Sequence, residues 1–191
     1  KIGKLHAHQL QGFYPEELPV DNLYAFPEVV RYLRKNHSDL LDNLVVVSPD
    51  LGAAQRTKSF LGRLEKAQED DLKKQNYSFA ICEKERPKAG QIGEIQLIGD
   101  VNGKNVFIPD DIIDSGGTLC SIANILRKEG AKKLFCYGTH GIFSKGAEEI
   151  CSCYDLVMSS NTHNKTHEGV EVIDLSPIFA EAIYRAEKGL S

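Results

Sequence analysis

The chain has 191 residues, 41% of them hydrophobic, with 23 basic and 27 acidic side chains and a formal net charge of −4. That length and apolar content suffice for a buried core, with one large domain the default and two within range. The charge balance excludes a global pull toward nucleic acid or an acidic membrane, so any anion site must be local; no apolar stretch reaches the ~18–20 residues that cross a bilayer.

Phe26, Val29, Val30 and Leu33 fall at helical spacing and predict a first amphipathic helix, with Pro27 suited to its first turn. Leu44 to Val47 reads as a short buried strand that ends in the loop Ser48-Pro49-Asp50-Leu51-Gly52. Ala53, Thr57, Phe60, Leu61 and Leu64 share one side of a second helix. Residues 65–76 are strongly charged and read as a solvated helix extension or loop. A strand over 78–82 leads into the basic loop 83–90, and 94–98 return as a strand paired with its neighbours. The apolar run Val106 to Ile108 ends at Asp110 and Asp111; a short loop then carries Asp114, Ser115, Gly116, Gly117 and Thr118, and Leu119, Ile122, Ile125 and Leu126 begin a helix. A strand over 134–138, a short helix near 146–151, strands near 155–158 and 170–174, and a helix from the Ser176-Pro177 cap to Gly189 complete the pattern. Apolar strands alternating with amphipathic helices predict an α/β fold, a mostly parallel twisted sheet flanked by helices. Ligands in such sheets sit beyond the carboxyl ends of strands, where this pattern puts loops 48–56, 109–118 and 138–144. Cys82, Cys120, Cys136, Cys151 and Cys153 form no CxxC pair. An odd count without a signal-like start points to reduced thiols and a cytoplasmic chain. The chain opens on Lys1 and runs straight into patterned sequence, which reads as part of a longer polypeptide.

Strand, acids, small-residue loop and helix start make the layout of a sugar-phosphate site. Carboxylates at Asp110 and Asp111 can accept hydrogen bonds from vicinal ribose hydroxyls, and Gly116 and Gly117 let backbone amides approach a phosphate at the helix N-terminus. One capping Asp would be ordinary; three acids followed by Gly-Gly-Thr exceed what a cap needs. Asp50 has two readings, a turn cap or a Mg²⁺ ligand reached directly or through water. Lys84-Glu85-Arg86 also has two, a solvated charge run or a lid that closes its cations over a transferring phosphoryl group. His6-Ala7-His8 lacks the cysteine or acid partners that a zinc site requires, and His140 is a lone histidine.

Across nearly its whole length the chain resembles the C-terminal part of the ribose-phosphate pyrophosphokinases, the phosphoribosyl pyrophosphate synthetases. The acid loop is similar to that of the wider type I phosphoribosyltransferase group. Narrower matches follow in family order: Leu5 to Phe13, Pro19 to Tyr24, Val47 to Asp50, Lys84 to Arg86, Gly99 to Val101, Thr139 to Ser144, Asp174 to Ser176 and Ala180 to Ile183. The resemblance implies transfer of the diphosphoryl group of Mg·ATP to the anomeric hydroxyl of ribose 5-phosphate, giving phosphoribosyl pyrophosphate and AMP. It implies that Asp110 and Asp111 bind the ribose hydroxyls and that Asp114, Ser115, Gly116, Gly117 and Thr118 hold the 5-phosphate. His6 and Asp50 would serve Mg²⁺ and the ATP phosphates, and Lys84 and Arg86 would stabilise the transition state. Gln11, Asp21 and Asn22 resemble positions near a phosphate or ADP regulatory site. A homo-oligomer is implied as well, since family sites take residues across subunits, and residues 1–191 would form one phosphoribosyltransferase-like domain, the C-terminal half of a longer two-domain synthetase.

Departures from the family pattern are Lys4 where an acid is usual, Ser115 for threonine, Pro109 before the acid pair, the long charged stretch 65–76 and the segment 161–167. The family's N-terminal half, with most of the adenine pocket, has no counterpart in the chain. Two alternatives stand beside the active synthetase: a catalytically silent, synthetase-associated regulatory subunit, which Lys4 favours, and a base-using phosphoribosyltransferase, which the shared acid loop permits.

Overall fold

The computed structural model describes residues 2–3, 12–15, 17, 20–69, 71, 74–84 and 95–190. Two short strands come first, β1 (Ile2–Gly3) and β2 (Asp21–Asn22), paired in parallel with each other. Helix α1 (Phe26–Asn36) follows, with Pro27 in its first turn and Phe26, Val29, Val30 and Leu33 buried. A single 3-10 turn (Ser38–Leu41) leads to β3 (Leu44–Ser48), buried along its whole length. Then come α2 (Ala54–Ala67), β4 (Ser78–Lys84), β5 (Ile95–Ile98), β6 (Asn105–Ile113), α3 (Gly117–Lys128), β7 (Lys133–Gly141), α4 (Glu148–Cys153), β8 (Leu156–Ser160), β9 (Val170–Ile173) and α5 (Ser176–Lys188).

Seven strands form one sheet in the order β5-β4-β3-β6-β7-β8-β9. Every pairing in it is parallel except β4 with β5, which is antiparallel at the edge. The period of two along each strand sorts apolar side chains to opposite faces. Val45, Val47, Val106, Ile108, Leu134 and Cys136 join the core under α3 and α4. Leu44, Val46, Phe107, Phe135 and Tyr137 join the core under α1 and α2. Aromatic rings run through that second core, Phe60 to Phe107 at 4.6 Å and Phe107 to Phe135 at 5.1 Å between centroids. From β3 the chain moves one way to β4 and β5, then returns to the other side of β3 and proceeds outward through β6 to β9. The reversal opens a crevice at the carboxyl ends of β3 and β6, the place where parallel sheets bind ligands.

The α/β architecture agrees with the sequence reading, and several boundaries differ. Strand β6 does not stop at the acid pair: it continues through Pro109, Asp110 and Asp111 to Ile113, because β7 pairs with it out to Ile113↔Gly141. The register with β3 ends at Phe107, so Pro109, which has no N–H to offer, lies beyond the last rung on that side. The charged stretch 65–76 extends α2 to Ala67, and most of its described residues are exposed, as expected; Gln68 and Asp71 are the two that engage the body of the protein. Gln68 is buried, its side chain donating to the Gln75 carbonyl at 2.8 Å and accepting the Gln75 amide at 2.7 Å, while Arg34 grips Asp71 at 2.8 and 2.9 Å. Ser176 does not cap α5; it is the first helical residue, and its hydroxyl and amide both donate to Asp174 Oδ1. The five cysteines are free thiols. Among the described residues no helix is long and apolar enough to cross a membrane.

Candidate functional site

The crevice between β3 and β6 is built from three short pieces of chain. The first is the end of β6. Asp110 and Asp111 leave the strand on successive residues, with side chains 20% and 7% exposed, so Asp111 is turned into the protein. Arg56, in the first turn of α2, reaches across from the other side of the crevice. Its Nη2 donates to Asp110 Oδ1 at 3.0 Å, and its Nη1 lies 2.8 Å from Asp111 Oδ2. The Asp111 amide also donates to Asp110 Oδ1, at 2.8 Å. Burial first, and hydrogen bonding to Asp111 second, push the Asp110 carboxyl up to about 7 in spite of the guanidinium beside it.

The second piece is the start of α3. Asp114 is exposed, Ser115 half-buried, and Gly117 and Thr118 exposed. Gly116 precedes the helix at φ 79°, the left-handed region that favours glycine, and a Cβ there would sit 3.1 Å from Ile150 Cβ on α4. No side chain caps this helix; the first backbone bond within it is Cys120 N–H to the Gly116 carbonyl. The amides of the first turn are therefore positioned for an anion, with the helix dipole in its favour. At the neighbouring tip of β7, a Cβ on Gly138 would fall 2.5 Å from Ile113 Cγ1, so the β6 and β7 ends close up only around glycine.

The third piece is the loop after β3. Asp50 Oδ1 accepts the Ala53 amide at 2.7 Å, the turn-capping contact that was one of its two readings. A cation at Asp50 would have to use Oδ2. That single oxygen suits the sparse protein coordination of a Mg²⁺–phosphate complex better than a dedicated cage. Among the described residues no group of three or more His, Cys, Asp or Glu could hold a metal ion.

The structure thus brings Asp50, Asp110, Asp111, Asp114, Ser115, Gly116, Gly117 and Thr118 to one sheet edge. Asp21 and Asn22 lie apart from that sheet, in the small β1–β2 ladder, where Asp21 is exposed and Asn22 half-buried. His6, Gln11, Arg86 and the side chain of Lys84 lie outside the described residues. His140, at the end of β7, pairs its Nδ1 with Thr162 Oγ1 at 2.9 Å, a structural contact between that strand and the turn after β8. Arg56 is the residue that sequence reasoning passed over. The signal was present: two adjacent acids at a buried strand end require a counter-charge, and Arg56 is the one basic residue in the 48–56 loop at the same edge.

Chemically, the edge offers hydrogen-bond acceptors for a diol beside unshared amide donors for an anion. Each carboxylate–hydroxyl bond is worth roughly 1.5–3 kcal/mol, and the helix end adds about 0.3–1 kcal/mol for an exposed charge.

The sequence model of a family described as a phosphoribosyl synthetase-associated domain matches residues 68–191. The crystal structure of phosphoribosylpyrophosphate synthetase from Mycobacterium smegmatis is similar to 98% of the chain, with 28% sequence identity and a TM-score of 0.80. The chain spans 58% of the length of that protein. A hypoxanthine phosphoribosyltransferase from Staphylococcus aureus aligns with 78% of the chain and 74% of its own, at 15% identity and a TM-score of 0.42.

Proposed function

The chain belongs to the phosphoribosyl synthetase-associated domain family, and from that membership we propose that it forms the ribose 5-phosphate half of a ribose-phosphate diphosphokinase. In this reading the anomeric oxygen of ribose 5-phosphate attacks the β-phosphorus of Mg·ATP. The bond to the α-phosphate oxygen breaks, AMP leaves with its electron pair, and one proton is released. Phosphoryl transfer of this kind needs positioning and charge neutralisation more than a protein nucleophile.

Asp110, with Asp111 behind it, takes the ribose hydroxyls; Asp114 to Thr118 surround the 5-phosphate with the amides of the α3 start. Asp50 and His6 would hold the magnesium of Mg·ATP, which would offset the negative charge of the diphosphoryl group. Lys84 and Arg86 would supply further positive charge to the transferring group. The remaining reactants, the adenine pocket and oligomeric contacts that complete the site, are assigned to the longer polypeptide of which residues 1–191 would be the C-terminal half, and Gln11, Asp21 and Asn22 to a regulatory phosphate or ADP site. One observation carries the reading: a carboxylate pair at the β6 tip stands beside a helix start whose amides no side chain caps.

Calorimetric titration with ribose 5-phosphate tests it, using the chain and its Asp110→Asn/Asp111→Asn variant. Binding is expected in the first and lost in the second; equal heats from both would reject the site. Lys4, where the family pattern has an acid, favours a second reading, a catalytically silent associated subunit that keeps the fold. An assay of the full-length parent with Mg·ATP separates the two, turnover excluding the silent subunit.

A further inference from the structure

We propose that Arg56 is a positioning residue for the carboxylate pair, holding Asp111 in place and orienting the Asp110 carboxyl for the sugar hydroxyls. The inference rests on the ribose 5-phosphate reading and adds to it a residue and a constraint on how the site works.

The geometry is that of a bridge. Arg56 gives one terminal nitrogen to each carboxylate, at 3.0 Å to Asp110 Oδ1 and 2.8 Å to Asp111 Oδ2. Asp110 Oδ1 also takes the Asp111 amide at 2.8 Å. Two donors on one oxygen fix the plane of the carboxyl group. The contact to Asp110 is a hydrogen bond and that to Asp111 a close ion pair without hydrogen-bond alignment; a guanidinium reaches both acids with two nitrogens, where an ammonium has one.

Arg56 is itself held. Its neighbour Thr57 is fully buried; its hydroxyl donates to the Ala53 carbonyl at 3.0 Å and lies 3.3 Å from Ser48 Oγ. Ser48, also fully buried, donates to the Asp50 carbonyl at 2.7 Å. This chain of hydroxyls ties the first turn of α2 to the end of β3, so the fork starts from a fixed backbone. A surface ion pair without such an anchor contributes little; here the arginine side chain is 31% exposed and its partners less so.

Charge supplies the reason for the arrangement. Three acids crowd a tip that must also admit a phosphate dianion. The groups facing Asp110 are Arg56 from α2, Asp111 on its own strand and Cys136 from β7. Burial drives the Cys136 thiol well above its usual range, so it is neutral and Arg56 is the counter-charge. Even with it, burial and Asp111 raise the Asp110 carboxyl to about 7; without it the acid would keep its proton to still higher pH, as like charges at close range do. A protonated acid is a poorer acceptor for hydroxyls.

The test compares the full chain with Arg56→Lys and Arg56→Gln. Isotope-labelled aspartate carboxyls are titrated by NMR without ligand, and ribose 5-phosphate binding is measured by calorimetry from about pH 6 to about pH 9. In Arg56→Gln the Asp110 midpoint is expected to rise by about one pH unit or more. Its affinity for ribose 5-phosphate near pH 7 is expected to fall about tenfold, with the loss narrowing at higher pH. Arg56→Lys should restore the midpoint and recover only part of the affinity. An unchanged midpoint, an unchanged affinity, or a loss equal at every pH would overturn the proposal. If Arg56→Gln does not fold, Arg56→Lys decides it, wild-type affinity in that variant being the overturning result. A wild-type chain that binds no ribose 5-phosphate would instead reject the sugar-phosphate reading, while the midpoints still report whether Arg56 governs the acid pair.

Discussion

Asp110 carries the clearest consequence of a single side chain's surroundings. Burial, and next its hydrogen bond with Asp111, raise its carboxyl from an ordinary 3.8 to about 7. The folded value lies above the unfolded one, so the protonated form is the stabilising one. That contribution is full below the unfolded value of 3.8 and is lost as pH rises through about 7. The stability of Asp110→Asn relative to the parent is therefore expected to climb between about pH 4 and about pH 8. Urea midpoints of both proteins across that range measure it, and a flat difference would contradict the burial of this group. The acid pair and the glycines around it were legible in the sequence as residue types, because their chemistry is intrinsic. The inward turn of Asp111 and the bridge to Arg56 were not, because they depend on where α2 sits against β6.

Helices and strands were legible to a different degree. The apolar spacing of α1, α2 and α3 recurs in the structure as buried faces, since a period of 3.6 is a property of the backbone. Strand β6 was read short. Pro109 and two acids oppose strand propensity locally, and only the partner β7 carries the ladder past them. The stretch after α2 was read as solvated from its charge, yet Gln68 folds inward and pins Gln75 with two hydrogen bonds. Gln68→Ala would remove two part-buried hydrogen bonds to the Gln75 backbone, at about 0.5–1.5 kcal/mol each. A lower denaturant midpoint together with faster proteolytic cutting in this stretch is the expected result; an unchanged protein would mean that Arg34 and Asp71 hold the segment alone.

Taken whole, the molecule is a sheet buried on both faces, with its crevice at the point where strand order reverses. Phe107 lies at the centre, packed between Phe60 and Phe135 and fully buried. Phe107→Ala is expected to cost about 3–5 kcal/mol through the cavity it leaves. Thermal unfolding would register this as a large fall in Tm, and a shift of only a degree or two would mean the core had collapsed around the gap. The crevice position explains why Asp50 and the α3 start, 60 and more residues apart in sequence, approach one ligand.

Periodicity, composition and turn residues are written locally, and from them the α/β class, the parallel sheet and the acid-glycine loop could be read in order along the chain. Strand order, the face each acid turns to and the counter-charge it meets are contacts between distant segments; Arg56 and Asp110 are 54 positions apart. Local rules are silent on such pairs, because the free energy that selects them comes from desolvation and packing once the layers have assembled.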